Sequence, residues 1–187
     1  MEKIISDYNE LLKRFREQAL SNNRLWNVNQ ETAYLLNMLV TIKQPKHILE
    51  IGTSNGYSTF FLALDKNIRV TTIEVDEKRQ ALAKDNLKEF ANINFIYAKA
   101  EEVLEKLDIM IDFLFIDANK PAYIQYLKLC EPFLNANALV VADNIDTHPE
   151  TTRQYQEYVI NSPDYKTVHL SLDAGLLISM FSKKSLV

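Results

Sequence analysis

Two strand-like runs near the end of the chain, YKTVHLSL (165–172) and LLISMFSK (176–183), are separated only by Asp173, Ala174 and Gly175. A parallel crossover needs roughly a dozen residues or more, so this pair is confined to an antiparallel hairpin. Upstream the rhythm is different. HILEIG (47–52), RVTTIEV (69–75), NFIYA (94–98), DFLFID (112–117) and ALVVADN (138–144) are short apolar runs with β-branched residues, separated by stretches rich in Ala, Leu, Lys and Glu. That alternation predicts an α/β fold, a parallel sheet with helices on both faces. Five parallel strands followed by a hairpin make a seven-stranded, mostly parallel sheet. This differs from an all-parallel dinucleotide fold.

The N-terminal part reads as helix. Ile4, Ile5, Tyr8, Leu11, Leu12 and Phe15 recur at spacings of three and four, and a second helical pattern runs over residues 30–42 before Pro45. With 187 residues, 47 % of them hydrophobic, and no Gly/Ser/Pro-rich linker, the chain is expected to form one domain: helices over 1–45 and an α/β core over 46–187. No apolar stretch approaches the roughly 20 residues that span a bilayer, and MEKIISDYNELLKRF lacks the uncharged core of a signal peptide. No membrane association is therefore expected. The single cysteine, Cys130, excludes an internal disulfide and fits a reducing cytoplasm.

The first strand runs into LEIGTSNGYS (49–58), which holds two of the chain's three glycines, Gly52 and Gly56. Glycine there permits positive φ and close approach of backbone to a ligand. Ser54 stands where G-x-G-x-x-G has its middle glycine, which weakens a pyrophosphate-binding reading and with it a nicotinamide oxidoreductase. The second strand ends on Glu74, where an acid can accept both hydroxyls of a ribose. Glycine turn and acid together favour a nucleoside site over a bare turn, and small residues around Ala98–Glu101 leave room for a base.

Asp117 ends the fourth run and Asp143–Asn144 ends the fifth. Open parallel sheets bind ligands at the carboxyl ends of their strands, and neighbouring strands lie about 5 Å apart. Two carboxylates and an amide make a hard oxygen set that suits Mg²⁺ and admits Mn²⁺ or Ca²⁺; with no thiolate or imidazole in it, structural zinc is disfavoured. Both acids can equally be helix N-caps. The residues alone leave these readings balanced.

E-x-G-x-x-x-G-Y-S, I-E-x-D, I-D-A-x-K-x-x-Y and V-A-D-N, in that order, resemble the metal-dependent O-methyltransferases of the catechol and caffeoyl-CoA type, over roughly residues 24–183. The resemblance implies an S-adenosylmethionine-dependent transferase with the Rossmann-like class I methyltransferase fold, whose seven-stranded sheet the five parallel strands and the terminal hairpin match. It assigns the divalent metal to Asp117, Asp143 and Asn144, and the role of general base to Lys120. To the cofactor it assigns Glu50, Gly52 and Ser58 at the methionine end, Ser54 and Gly56 in the same turn, and Glu74 at the ribose. Val28 is assigned through its backbone, Ala100 and Glu101 at the adenine, and Asp117 to the cofactor as well as to the metal. In that chemistry a dication lowers the pKa of the acceptor hydroxyl and fixes its direction, while a nearby lysine whose neutral form is favoured takes the proton.

The acceptor is less defined. Asn135, Ala136 and Asn137 replace a common Pro-Gly-Gly and are expected to form a turn. No long insertion follows Asn144, Asn119 stands where catechol enzymes carry a bulky aromatic, and no acid is recognisable near the final hairpin to hold a second hydroxyl. His148 reads as a surface loop residue, and Trp26 and Tyr123 as core or rim aromatics. The expected partner is a small hydroxylated acceptor, catechol-like or phenolic, in an open site. A hydroxylated uridine of tRNA is the alternative acceptor, disfavoured by the net charge of −4. A non-catalytic cofactor-binding module is the remaining reading. Bacterial members of the family are often homodimers, which makes a homodimer one expectation here, and the amphipathic first helix is expected to serve either as a lid or as an interface.

Overall fold

The computed structural model describes residues 6–22 and 25–182, so Ile4, Ile5 and the last residue of the final strand-like run lie outside the described part. Helix α1 (Asn9–Ser21) and helix α2 (Gln30–Lys43) precede the sheet. Asn29 caps α2 by accepting from the Thr32 amide (2.7 Å), and the helix stops where Gln44 turns left-handed before Pro45. There follow β1 (His47–Ile51), α3 (Tyr57–Leu62), β2 (Arg69–Glu74), α4 (Glu77–Asn86), β3 (Ile93–Tyr97), α5 (Ala100–Leu104), β4 (Ile111–Ile116), α6 (Tyr123–Cys130), β5 (Leu134–Ala142) and α7 (Pro149–Asn161). The hairpin β6 (Tyr165–Leu170) and β7 (Leu176–Phe181) closes the series. Among the described residues no helix is long and apolar enough to cross a membrane.

The sheet order is β3-β2-β1-β4-β5-β7-β6, with β5–β7 and β6–β7 antiparallel and the other pairs parallel. Side-chain alternation builds a core on each face. Leu49, Ile51, Leu114, Ile116 and Val140 point toward Tyr123 and Leu127 of α6 and Tyr155 and Val159 of α7. Ile48, Phe113, Phe115 and Val141 point the other way, toward Phe15, Leu36, Val40 and Phe60 of α1–α3. Tyr123 is therefore core, not rim.

The stretch 135–137 is not a free turn. It lies inside β5, where pairing jumps from Ile111↔Leu134 to Phe113↔Leu139, and Asn137 takes φ 64 in the bulge. An irregularity that bends one strand replaces the expected loop, and asparagine tolerates its left-handed backbone as it would in a turn.

Register decides what meets at the carboxyl edge. Ile73, Ile51, Ile116 and Ala142 share one row across β2, β1, β4 and β5. The next row is therefore Glu74, Gly52, Asp117 and Asp143. The ladder continues into it: Gly52 donates to Ile73 O (2.9 Å), Asp117 to Ile51 O (3.0 Å) and Asp143 to Ile116 O (3.1 Å). The chain reverses its direction of winding between β1 and β4, which is where such sheets open a crevice.

Candidate active site

The crevice is a cavity of about 700 Å³ over that row. Its floor is Gly52, whose φ is +105 and whose missing Cβ would stand 2.0 Å from the Asp117 carbonyl oxygen. Only glycine fits between those two strand ends. On one side lie Ser54, Ser58 and Glu74; on the other Asp117, Lys120, Asp143 and Asn144; Val28 closes the cavity from the N-terminal segment. The sequence-predicted residues Glu50, Gly56, Ala100 and Glu101 do not line it. Gly56 turns at φ +90 against Ala83 and Leu87 at the start of α3, and Ala100 is buried at the start of α5.

Glu74 accepts three backbone amides, from Ser54 (2.8 Å), Val75 (2.9 Å) and Asp76 (2.9 Å), so it also fixes the turns on either side of it. Glu50 faces the α1–α3 layer, fully buried. It accepts from Ser58 Oγ (2.6 Å), Thr59 Oγ1 (2.5 Å) and Thr72 Oγ1 (2.6 Å). Burial pushes its carboxyl up to about 7 against the pull of those three donors, with the charge of Asp117 adding to the rise.

An acid whose pKa is higher folded than unfolded binds more protons in the folded state between the two values. Stability therefore falls as pH rises from the ordinary 4.5 toward 7. Ionised Glu50 costs about 3 kcal/mol on this basis. Thermal unfolding at pH 5 and pH 8 should show a midpoint that drops with pH, and Glu50→Gln should flatten the drop. Equal slopes in both proteins would show that Glu50 is already ionised in the fold.

Neither Asp117 nor Asp143 caps a helix. The 3-10 turn Lys120–Ala122 and helix α7 begin at Asn119 and His148, without a side-chain cap bond at either. Asp117 Oδ1 instead accepts from Lys120 Nζ at 2.9 Å, both groups partly buried. Asp143 is 2 % exposed, and its Oδ1 has no hydrogen-bond partner. Burial first and Asp117 second push its carboxyl up to about 7. A buried carboxylate oxygen without a partner normally costs stability, so its persistence beside a second carboxylate points to a cationic ligand. Asp143, the free oxygen of Asp117 and Asn144 fit a hard divalent ion. Among the described residues no group of three or more His, Cys, Asp or Glu could hold a metal, so the amide of Asn144 is needed to complete the set.

The hairpin supplies an acid after all. Asp173 lines the cavity, and its Oδ2 accepts from the Asn29 amide at 3.0 Å, which ties the hairpin turn to the start of α2. Its charge also bears on Asp143. Sequence reading passed over it as a turn residue; only the pairing of β7 with β5 brings it here. The turn is held further by Ala174 O, which accepts from the Asp146 and Thr147 amides, and by Gly175 O, which accepts from Ile145. Thr147, Thr151 and the exposed His148 line the mouth with Asn119. Trp26, 73 % exposed, stands at the rim with the Arg79 guanidinium 5.7 Å from its ring centre.

The sequence model of a family described as O-methyltransferase matches residues 2–161. A catechol O-methyltransferase of Niastella koreensis is 32 % identical over 127 residues, 63 % of this chain and 58 % of that protein's length. A Staphylococcus aureus structure described as a candidate caffeoyl-CoA O-methyltransferase superposes with a TM-score of 0.84 at 30 % identity, covering 97 % of this chain and 98 % of that one. An O-methyltransferase from Bacillus cereus, solved in complex with SAH, superposes at 0.79 over 96 % of each chain. At 23 % identity, that last likeness is one of fold.

Proposed function

Because the chain belongs to the O-methyltransferase family, we propose that it moves a methyl group from S-adenosylmethionine to a hydroxyl of a small catechol-like or phenolic acceptor, assisted by a divalent cation. The observation that carries this is the row Glu74, Gly52, Asp117, Asp143 across four strand ends. It puts a nucleoside-type acid at one end, a backbone gap in the middle and an oxygen ligand set at the other. Support for methyl transfer comes from the family match over residues 2–161, and for the acceptor class from the Niastella catechol enzyme.

A divalent ion bound there would make the acceptor hydroxyl more acidic and hold its oxygen toward the methyl group. Asp143 and Asn144 would hold that ion with Oδ2 of Asp117. Asp117 Oδ1 accepts from Lys120 Nζ and so orients it; in its neutral form that amine receives the hydroxyl proton. Glu74 holds the ribose while its own bonds keep the glycine turn in place. Val28 and Trp26 limit the entry of water from the N-terminal side. Positioning of donor and acceptor in one cavity supplies much of the acceleration.

Calorimetry tests the cofactor. S-adenosylhomocysteine should bind, and Glu74→Ala should weaken it by about 1–3 kcal/mol through lost hydrogen bonds to a charged acceptor. NAD should not compete. Tighter binding of NAD than of S-adenosylhomocysteine ends the methyltransferase reading. Transfer of labelled methyl to a panel of catechols, with and without Mg²⁺, then tests the acceptor.

A further inference from the structure

A second cavity, of about 500 Å³, opens between α1 and the helices α2 and α3. Asn27, Val28 and Tyr57 line both cavities, so the two are neighbours across one wall. One face of α1 forms the far side, with Leu12, Lys13 and Arg16 on it, and Tyr34 and Phe61 lie opposite. The chemistry is unlike that of the main cavity. Among the described residues two cations line it and no carboxylate does.

Neither cation has an ion-pair partner among the described residues. Among the described residues the ion pairs are Lys120–Asp117, Arg153–Glu150 and His169–Asp146, none involving Lys13 or Arg16. Burial raises the pKa of both Tyr34 and Tyr57, and the charge of Arg16, acting across the cavity, works against that rise. Glu31, on the first turn of α2, opposes it at the same two phenols without lining the cavity. In a chain with four more acids than bases, a concave site with two uncompensated cations and two phenols concentrates anions.

We propose that this second cavity is an anion subsite of the acceptor, taking a terminal carboxylate or phosphate on a molecule whose hydroxylated end lies at Asp117 and Asp143. The connecting part of that molecule crosses the wall of Asn27, Val28 and Tyr57. The proposal rests on the methyl-transfer reading for what fills the main cavity. The amino-acid carboxylate of the methyl donor has the same chemistry, and the test separates the two sources.

The full chain and its Lys13→Gln/Arg16→Gln variant are compared in three measurements. The first is calorimetric binding of inorganic pyrophosphate with no methyl donor present; the variant should bind at least tenfold more weakly. The second is kcat/KM for catechol against 3,4-dihydroxyphenyl alkanoates of increasing chain length. The wild type should prefer one chain length over catechol by tenfold or more, and the variant should lose that preference. The third is affinity for S-adenosylhomocysteine. Equal pyrophosphate binding in the two proteins overturns the proposal. So does a tenfold loss of S-adenosylhomocysteine affinity with the acceptor preference intact, which would give the cations to the donor's carboxylate. If no catechol is methylated by either protein but pyrophosphate binding still depends on the two cations, the acceptor reading has failed and the anion subsite stands.

Discussion

Lys120→Ala should lose on the order of 10²- to 10⁴-fold in methyl transfer, the usual cost of removing a general base, while still binding S-adenosylhomocysteine. The expectation comes from placement. Lys120 sits one turn past the end of β4, with Nζ held 2.9 Å from Asp117 Oδ1, and it lines the cavity without bonding to the glycine turn or to Glu74. Part of the loss should return at high pH, where the acceptor hydroxyl ionises unaided. A pH–rate profile of the variant checks this. A variant that transfers methyl at the wild-type rate near neutral pH would leave Lys120 as a counter-ion for Asp117 and nothing more.

Removal of the cation or of its central ligand should have the largest effect of all. With EDTA present, or with Asp143→Ala, metal-stimulated transfer should vanish, while affinity for S-adenosylhomocysteine stays within a few-fold. Asp143 follows β5, two strands from Gly52, so a loss there leaves the nucleoside half of the crevice as it was. Mn²⁺ binding followed by electron paramagnetic resonance gives a readout that needs no turnover: the wild type should take up the ion and Asp143→Ala should not. An unchanged wild-type rate in EDTA would mean that the unpaired Oδ1 of Asp143 serves some purpose other than cation binding.

The parts of the fold legible in the sequence were those fixed by local chemistry. Apolar β-branched runs marked the seven strands to within a few residues. The three-residue gap at Asp173–Gly175 imposed the hairpin, because chain length alone forbids the alternative. The convergence of Asp117 and Asp143 was also within reach, since both close a strand of a parallel sheet and β4 pairs with β5. What escaped depends on distant pairing. Asp173 reads as an ordinary turn acid until β7 is known to lie beside β5, which carries the hairpin turn to the start of α2. The bulge at Asn137 escaped for a similar reason: asparagine favours a left-handed backbone equally in a loop and in a bulge, and only the partner strand distinguishes them. Lys13 and Arg16 were counted within an acidic total, and their shared face became visible only when α1 was laid over Tyr34 and Tyr57.

The position of β7 between β5 and β6 has a consequence for synthesis. When the ribosome has released the chain only as far as α7, the parallel strands can already pair, but β5 is then an edge, with Val140 and Val141 beside unpaired backbone groups. That edge is covered, and Asp173 reaches the crevice, only after residues 165–181 emerge and the hairpin inserts. At about 5–20 residues per second, the interval lasts on the order of a second or more. During it the nascent protein exposes a strand that invites pairing with a neighbour on the same polysome, so truncation before β6 should yield aggregate where a chain that includes the hairpin yields folded protein.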